Sequence, residues 1–130
     1  MKSTDHYFTL IQEVMRGNWN APALTDYDGD HSYTYGQVAE QVARLELMFE
    51  HLGIGAGDKV SICGKNCSNW GLAFVAALAH RCVVVSILPD FTTESIHELV
   101  RHSDSKLLFV SPDIMKRLDV AQMSQLVSIV

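Results

Sequence analysis

The sequence predicts an α/β fold built on a parallel sheet, and three observations carry that prediction. Residues 60–63 and 83–88 are short apolar runs that lack the polar alternation of a half-solvated strand. Residues 70–79, WGLAFVAALA, are apolar on every side, as in a helix covered all round. The polar turn of Asn66, Cys67, Ser68 and Asn69 and the closing pair Pro89-Asp90 leave room only for strand, helix and strand. That pattern belongs to a βαβ unit buried on both faces. A short helix and a β-hairpin are expected ahead of it, and 130 residues are enough for one core.

Asp5 is placed to cap a first helix reaching about Arg16, with Gly17 as its stop. Tyr7, Phe8, Leu10, Ile11, Val14 and Met15 share one broad face, which reads as a docking face because the helix's charges are mixed rather than basic. Residues 23–26 and 31–33 flank Tyr27-Asp28-Gly29-Asp30, and the Asp28-Gly29 pair predicts a hairpin. Thr34 and Gln37 are spaced as a capping box. The helix behind them places Val38, Val42, Leu45, Phe49 and Leu52 on one stripe, leaves Leu47 opposite it, and ends at Gly53. Gly53-Ile54-Gly55-Ala56-Gly57 precedes a strand instead of joining a strand to a helix, so it reads as a turn and not as a nucleotide loop. Beyond Asp90, Thr92 or Thr93 starts a helix whose buried side is Ile96, Leu99 and Val100. Residues 106–110 form the next strand, residues 113–118 a short helix, and residues 126–130 a fourth core strand.

Composition narrows the function classes. Hydrophobic residues make up 48% and charged residues 19%, the balance of a globular chain. Net charge is −5, and of the ten Lys and Arg residues only Lys116 and Arg117 are adjacent, which argues against nucleic-acid binding. Cys63, Cys67 and Cys82 form no disulfide framework and read as reduced thiols, so a cytoplasmic location is expected. The longest apolar stretch falls well short of the roughly 20 residues of a bilayer span.

Ligands of parallel sheets bind outside the carboxyl ends of the strands. Those ends are Gly64-Lys65-Asn66, Pro89-Asp90-Phe91 and Ser111-Pro112. Lys65 has the charge to neutralise a phosphate, and Asn66 or Ser68 the groups to bond a ligand, but a solvated lysine beside a helix-capping turn is the favoured reading. Cys63 and Cys67 lack the second pair and the nearby histidine of a zinc site. His97 and His102, five apart on one helix, do not share a face and read as separate surface histidines. Asp90 follows a strand tightly but has no acidic companions. No nucleophile motif occurs.

Five segments, in order, resemble the adenylate-forming enzymes, the acyl- and aryl-CoA synthetases and related ligases. Tyr33-Thr34-Tyr35-Gly36-Gln37-Val38 resembles their first core motif, with Gln37 where a glutamate is usual. Gly57-Asp58-Lys59-Val60, then Asn66, Trp70 and the small-residue helix of residues 73–79, follow the family's order. Residues 81–89 resemble the second core motif, with Arg81 in place of its glycine and Ser86 in place of its first proline. Residues 87–91, Ile96-His97-Glu98-Leu99 and residues 103–110 look most like bacterial long-chain fatty-acid–CoA ligases.

The resemblance implies a parent that joins a carboxylate to ATP with Mg²⁺, releasing pyrophosphate, and then passes the acyl group to coenzyme A. The family's Ser/Thr/Gly-rich phosphate loop, acidic ribose anchor and late lysine are not found in residues 1–130. The chain is therefore expected to be the N-terminal portion of an AMP-binding domain, inactive by itself, with no catalytic, cofactor-binding or metal-ligating residue. Its partners would be the rest of the parent ligase or, through exposed apolar surface, a second copy. The rival reading is a small non-catalytic α/β ligand-binding or interaction module.

Overall fold

The structure is a computed structural model that describes residues 7–29 and 31–130. Its elements are α1 (Tyr7–Gly17), β1 (Pro22–Thr25), β2 (Ser32–Thr34), α2 (Tyr35–His51), β3 (Lys59–Cys63), α3 (Ser68–Ala79), β4 (Val83–Ile87), α4 (Thr93–His102), β5 (Leu107–Val110), α5 (Pro112–Met115), a 3-10 turn (Val120–Met123) and β6 (Ser128–Ile129). The α/β class, the parallel sheet, the N-terminal helix and the hairpin are all present.

The sheet order is β4-β3-β5-β6, with every pair parallel. The chain steps from β3 to β4 on one side and then crosses back to β5 on the other. Right-handed crossovers in opposite directions put their helices on opposite faces. Accordingly, α2 and α3 pack with Val60, Ile62, Leu107 and Phe109 on one face. On the other, α4, α5 and the 3-10 turn pack with Cys63, Ile87 and Leu108.

Local signals shape most of the elements. The hairpin turns at Gly29, whose φ is +77°. The Thr34–Gln37 capping box forms in both directions, at 3.1 and 2.9 Å. On α2, Val38, Val42 and Phe49 are buried, Leu45 and Leu52 are half-buried, and Leu47 faces solvent. Helix α2 ends on a left-handed Gly53, with the Gly53 amide on Glu50 O and the Ile54 amide on Phe49 O. Pro112 stands in the first turn of α5, where its missing N–H costs nothing.

Asp5, expected to cap α1, lies outside the described residues. Several other expectations are corrected. On α1, Leu10 and Val14 are exposed while Ile11 and Met15 are half-buried, so the docking face is narrower than the apolar pattern. Gly17 belongs to α1, and the Asn18 side chain closes that helix by donating to Val14 O at 2.8 Å. Strand β4 is an edge strand with Val83 and Ser86 exposed, so the βαβ unit is not buried on both faces throughout. Strand β6 covers only Ser128 and Ile129, pairs with β5 alone at the opposite edge and is half-buried, so it is not a core strand. The short helix after β5 spans only four residues.

Candidate functional site

The reversal of strand order places the crevice between the carboxyl ends of β3 and β5, where doubly wound sheets take their ligands. The Ser111 amide donates to Cys63 O at 3.2 Å and ties the two ends together. From there an open groove of about 590 Å³ runs over the sheet face beside α2 and α3. Leu45, Ile62, Trp70, Ala73, Phe109 and Val130 form its apolar walls. Trp70 stacks on Phe74 with centroids 5.2 Å apart, which stiffens that wall. Lys65, Asn69 and Asp113 stand at the rim.

The predicted strand-end residues divide. Lys65 is exposed and forms no ion pair among the described residues. Ser68 is committed within the protein: its amide and hydroxyl both donate to Asp26 Oδ1, at 2.7 and 2.5 Å. The cap of α3 is thus supplied by the hairpin, whereas the turn's own cap residue, Cys67, makes no side-chain capping bond. The Ser68 hydroxyl, then the Ser68 amide, hold the Asp26 carboxyl below the ordinary carboxylate value; desolvation opposes them and His31 adds a smaller pull.

Cys63 is buried and Cys67 exposed, and among the described residues no group of three His, Cys, Asp or Glu side chains converges on a metal position. Burial pushes the Cys63 thiol up, with Arg117 opposing. Burial and then Asp58 push Cys82 up to about 11. These thiols are poor nucleophiles. The reading of His97 as a surface residue is corrected: it is 5% exposed, and its Nε2 accepts from the Asp119 amide at 3.0 Å. His102 is exposed.

Arg117 was not marked by any sequence signal beyond its charge. Its guanidinium donates to Pro89 O (3.1 Å), Phe91 O (3.3 Å) and Thr93 Oγ1 (3.0 Å), fixing the loop after β4. Ser68 and Arg117 are thus bonded within the protein, while Lys65 stays exposed beside them.

The family model described as "AMP-binding enzyme" matches residues 11–130. The chain belongs to the AMP-binding enzyme family. The long-chain-fatty-acid–CoA ligase heimdall of Drosophila melanogaster is 28% identical over 108 residues, which cover 83% of this chain and 15% of that protein. The 4-coumarate–CoA ligase 2 of Oryza sativa subsp. japonica is 27% identical over 99 residues, covering 76% of this chain and 17% of the relative. Among solved structures, the anthranilate CoA ligase AuaEII in complex with anthranoyl-AMP has a TM-score of 0.87 at 17% identity, over 99% of this chain and 26% of that one. The fold is shared over 99% of the chain, and the chain spans a minor part of each relative.

Proposed function

We propose that the chain is the opening segment of the AMP-binding domain of an acid–thiol ligase, and that the whole enzyme activates a long-chain fatty acid with ATP and Mg²⁺ and transfers it to coenzyme A. The match of the AMP-binding model over residues 11–130 carries this reading. The fatty-acid class rests on the resemblance of residues 87–91 and 103–110 and on relatives such as the Drosophila ligase; relatives acting on aromatic acids make it the finer part of the proposal. We place the enzyme in the cytoplasm, which its three free thiols support. No helix among the described residues is long and apolar enough to cross a membrane.

In this reading the chain supplies scaffold and wall, and no catalytic residue. The bonds of Asp26 and Arg117 hold the loops after β3 and β4 in place, and other segments of the ligase bring the phosphate-binding groups to them. ATP–pyrophosphate exchange tests it. The purified 130-residue chain, given palmitate, 4-coumarate or anthranilate with ATP and Mg²⁺, is expected to show no exchange. Measurable exchange would mean that the chain holds a complete adenylation site, and the proposal would be abandoned.

A further inference from the structure

Between the buried Ile114 of α5 and the buried Met123 of the 3-10 turn, no residue is fully buried. Polar bonds hold this segment to α4. The Asp119 amide donates to His97 Nε2 at 3.0 Å, and the Arg101 guanidinium donates to Gln122 O at 3.2 Å and Gln122 Oε1 at 3.0 Å. Arg117, in the same segment, clamps the loop after β4 through Pro89 O, Phe91 O and Thr93 Oγ1. Of these bonds, the one to His97 depends on charge. A ring nitrogen that accepts a hydrogen bond belongs to a neutral imidazole with its proton on the other nitrogen. Its partner here is a backbone N–H, which can only donate. Once Nε2 is protonated, two donors face each other, so the bond exists only while the ring is neutral. His80 is the contrast: its Nε2 faces Ile54 O at 2.7 Å and donates in either charge state.

We propose that His97 is a proton-operated latch. The neutral ring holds residues 116–121 on α4, and protonation releases them together with the Arg117 clamp on the loop after β4. Histidine is the side chain suited to this task, because its charge changes between about pH 5 and 8. His97 is 5% exposed, so water has little room to replace the lost bond while the segment stays in place. On α4 itself, Glu94 and Arg101 lie three residues before and four after the ring, on its side of the helix, and Glu98 lies next to it. Across from α4 the segment carries Asp113, Lys116, Arg117 and Asp119, the loop after β4 carries Asp90, and the sheet contributes the Cys63 thiol. None of these forms an ion pair with His97 among the described residues. The Asp119 carboxylate is engaged by the Ala121 amide at 3.1 Å, which caps the 3-10 turn. It can take the new Nε2 proton only by uncapping that turn, which also frees the segment. The latch lies within the fold of this chain and needs no further part of a ligase.

Amide hydrogen exchange of the purified chain, followed by NMR and corrected for the intrinsic pH dependence of exchange, tests the latch. Between about pH 7.5 and 5.5, protection of the Asp119 amide is expected to fall about tenfold or more. Protection of the Phe91 amide, which bonds Leu88 O at 3.2 Å in the clamped loop, is expected to fall with it, while the amides of α2 and β3 hold theirs. His97→Gln offers an acceptor that does not titrate and should abolish the pH dependence. His102→Gln, on the same helix, should leave it intact. His97→Phe removes the acceptor at every pH and should give the acid behaviour at pH 7.5. If His97→Phe fails to fold, His97→Gln still decides, because a fall that persists in that variant would overturn the proposal. Constant Asp119 protection in the wild-type chain would overturn it as well. A fall at Asp119 without one at Phe91 would overturn the release of the clamp.

Discussion

Arg81 stands at the end of α3 with φ +60°, in the left-handed region. Its amide bonds Leu78 O at 3.0 Å and the next amide, Cys82, bonds Ala77 O at 2.9 Å. Gly53 does the same after α2, and Asp104 (φ +55°) does the same after α4. One capping geometry thus occurs three times with three different residues. A non-glycine residue in this conformation costs about 1–2 kcal/mol. A glycine loses about 0.5–1 kcal/mol more chain entropy on folding. Arg81→Gly should therefore stabilise the protein by about 0.5–1 kcal/mol net, since the exposed Arg81 side chain makes no ion pair among the described residues. For a chain of this size that is a rise in Tm of roughly 2–5 °C. Asp104→Gly should gain less, because aspartate tolerates the left-handed region better. Thermal melts followed by circular dichroism, with urea titrations, measure the effect. Arg81→Ala is the control: it keeps the backbone cost and should leave Tm near the wild-type value. If Arg81→Gly fails to raise Tm, or Arg81→Ala raises it equally, the strain is not where the backbone puts it.

Three further outcomes follow from the polar contacts. Asp26 has a lowered folded pKa, so its contribution to stability is complete above the ordinary carboxylate pKa and is lost as pH falls through the depressed value; Asp26→Asn should lower Tm at pH 7 and flatten the decline of Tm between about pH 5 and 2, and an unchanged pH profile would show that the α3 cap is not what titrates. Ser105 joins the buried Ser61 hydroxyl at 2.6 Å to Ser103 at 2.7 Å, so Ser105→Ala should cost about 1–3 kcal/mol while Ser61→Ala/Ser105→Ala recovers part of it; additive losses in urea melts would contradict a coupled chain. At pH 8 a disulfide-exchange reagent should titrate Cys67 fast and Cys63 and Cys82 only at the rate of opening, so three equally fast thiols would refute the burial assignments.

What could be read from the residues themselves is local. The Thr34–Gln37 box, the Asp28-Gly29 turn and the Gly53 stop each act within a few positions, so composition at fixed spacing suffices. The Asp26–Ser68 cap, the His97–Asp119 bond and the Arg117 clamp join residues 42, 22 and 24–28 positions apart. Nothing in their own neighbourhoods marks them. Asp26 reads as a hairpin residue and His97 as a surface one until the strand order brings their partners in. The same limit explains β4. Its sequence, VVVSI, has the apolar character of a buried strand, but burial depends on which strands flank it, and the order β4-β3-β5-β6 puts it at an edge.

That mismatch is informative in itself. Edge strands that meet only solvent tend to carry charge, proline or bulges that block further pairing. β4 contains no such residue, Val83 is 48% exposed and the following Leu88 60%. At the other edge Val127 and Val130, which flank the two-residue β6, are exposed. On α2, Leu45 is half-buried over the open groove. These positions lie on both sheet edges and on one face, and each has the side chain of an interior site. A sequence selected to leave them in water would pay in solubility without gaining packing. In the reading proposed above, their common explanation is coverage by further parts of an AMP-binding domain. Charged substitutions at Val83 and Leu88 should accordingly be nearly neutral for the isolated chain and damaging only where the rest of the domain is present. Equal damage in both settings, measured by melting the chain with and without a complementing ligase segment, would return these residues to the core of the chain itself.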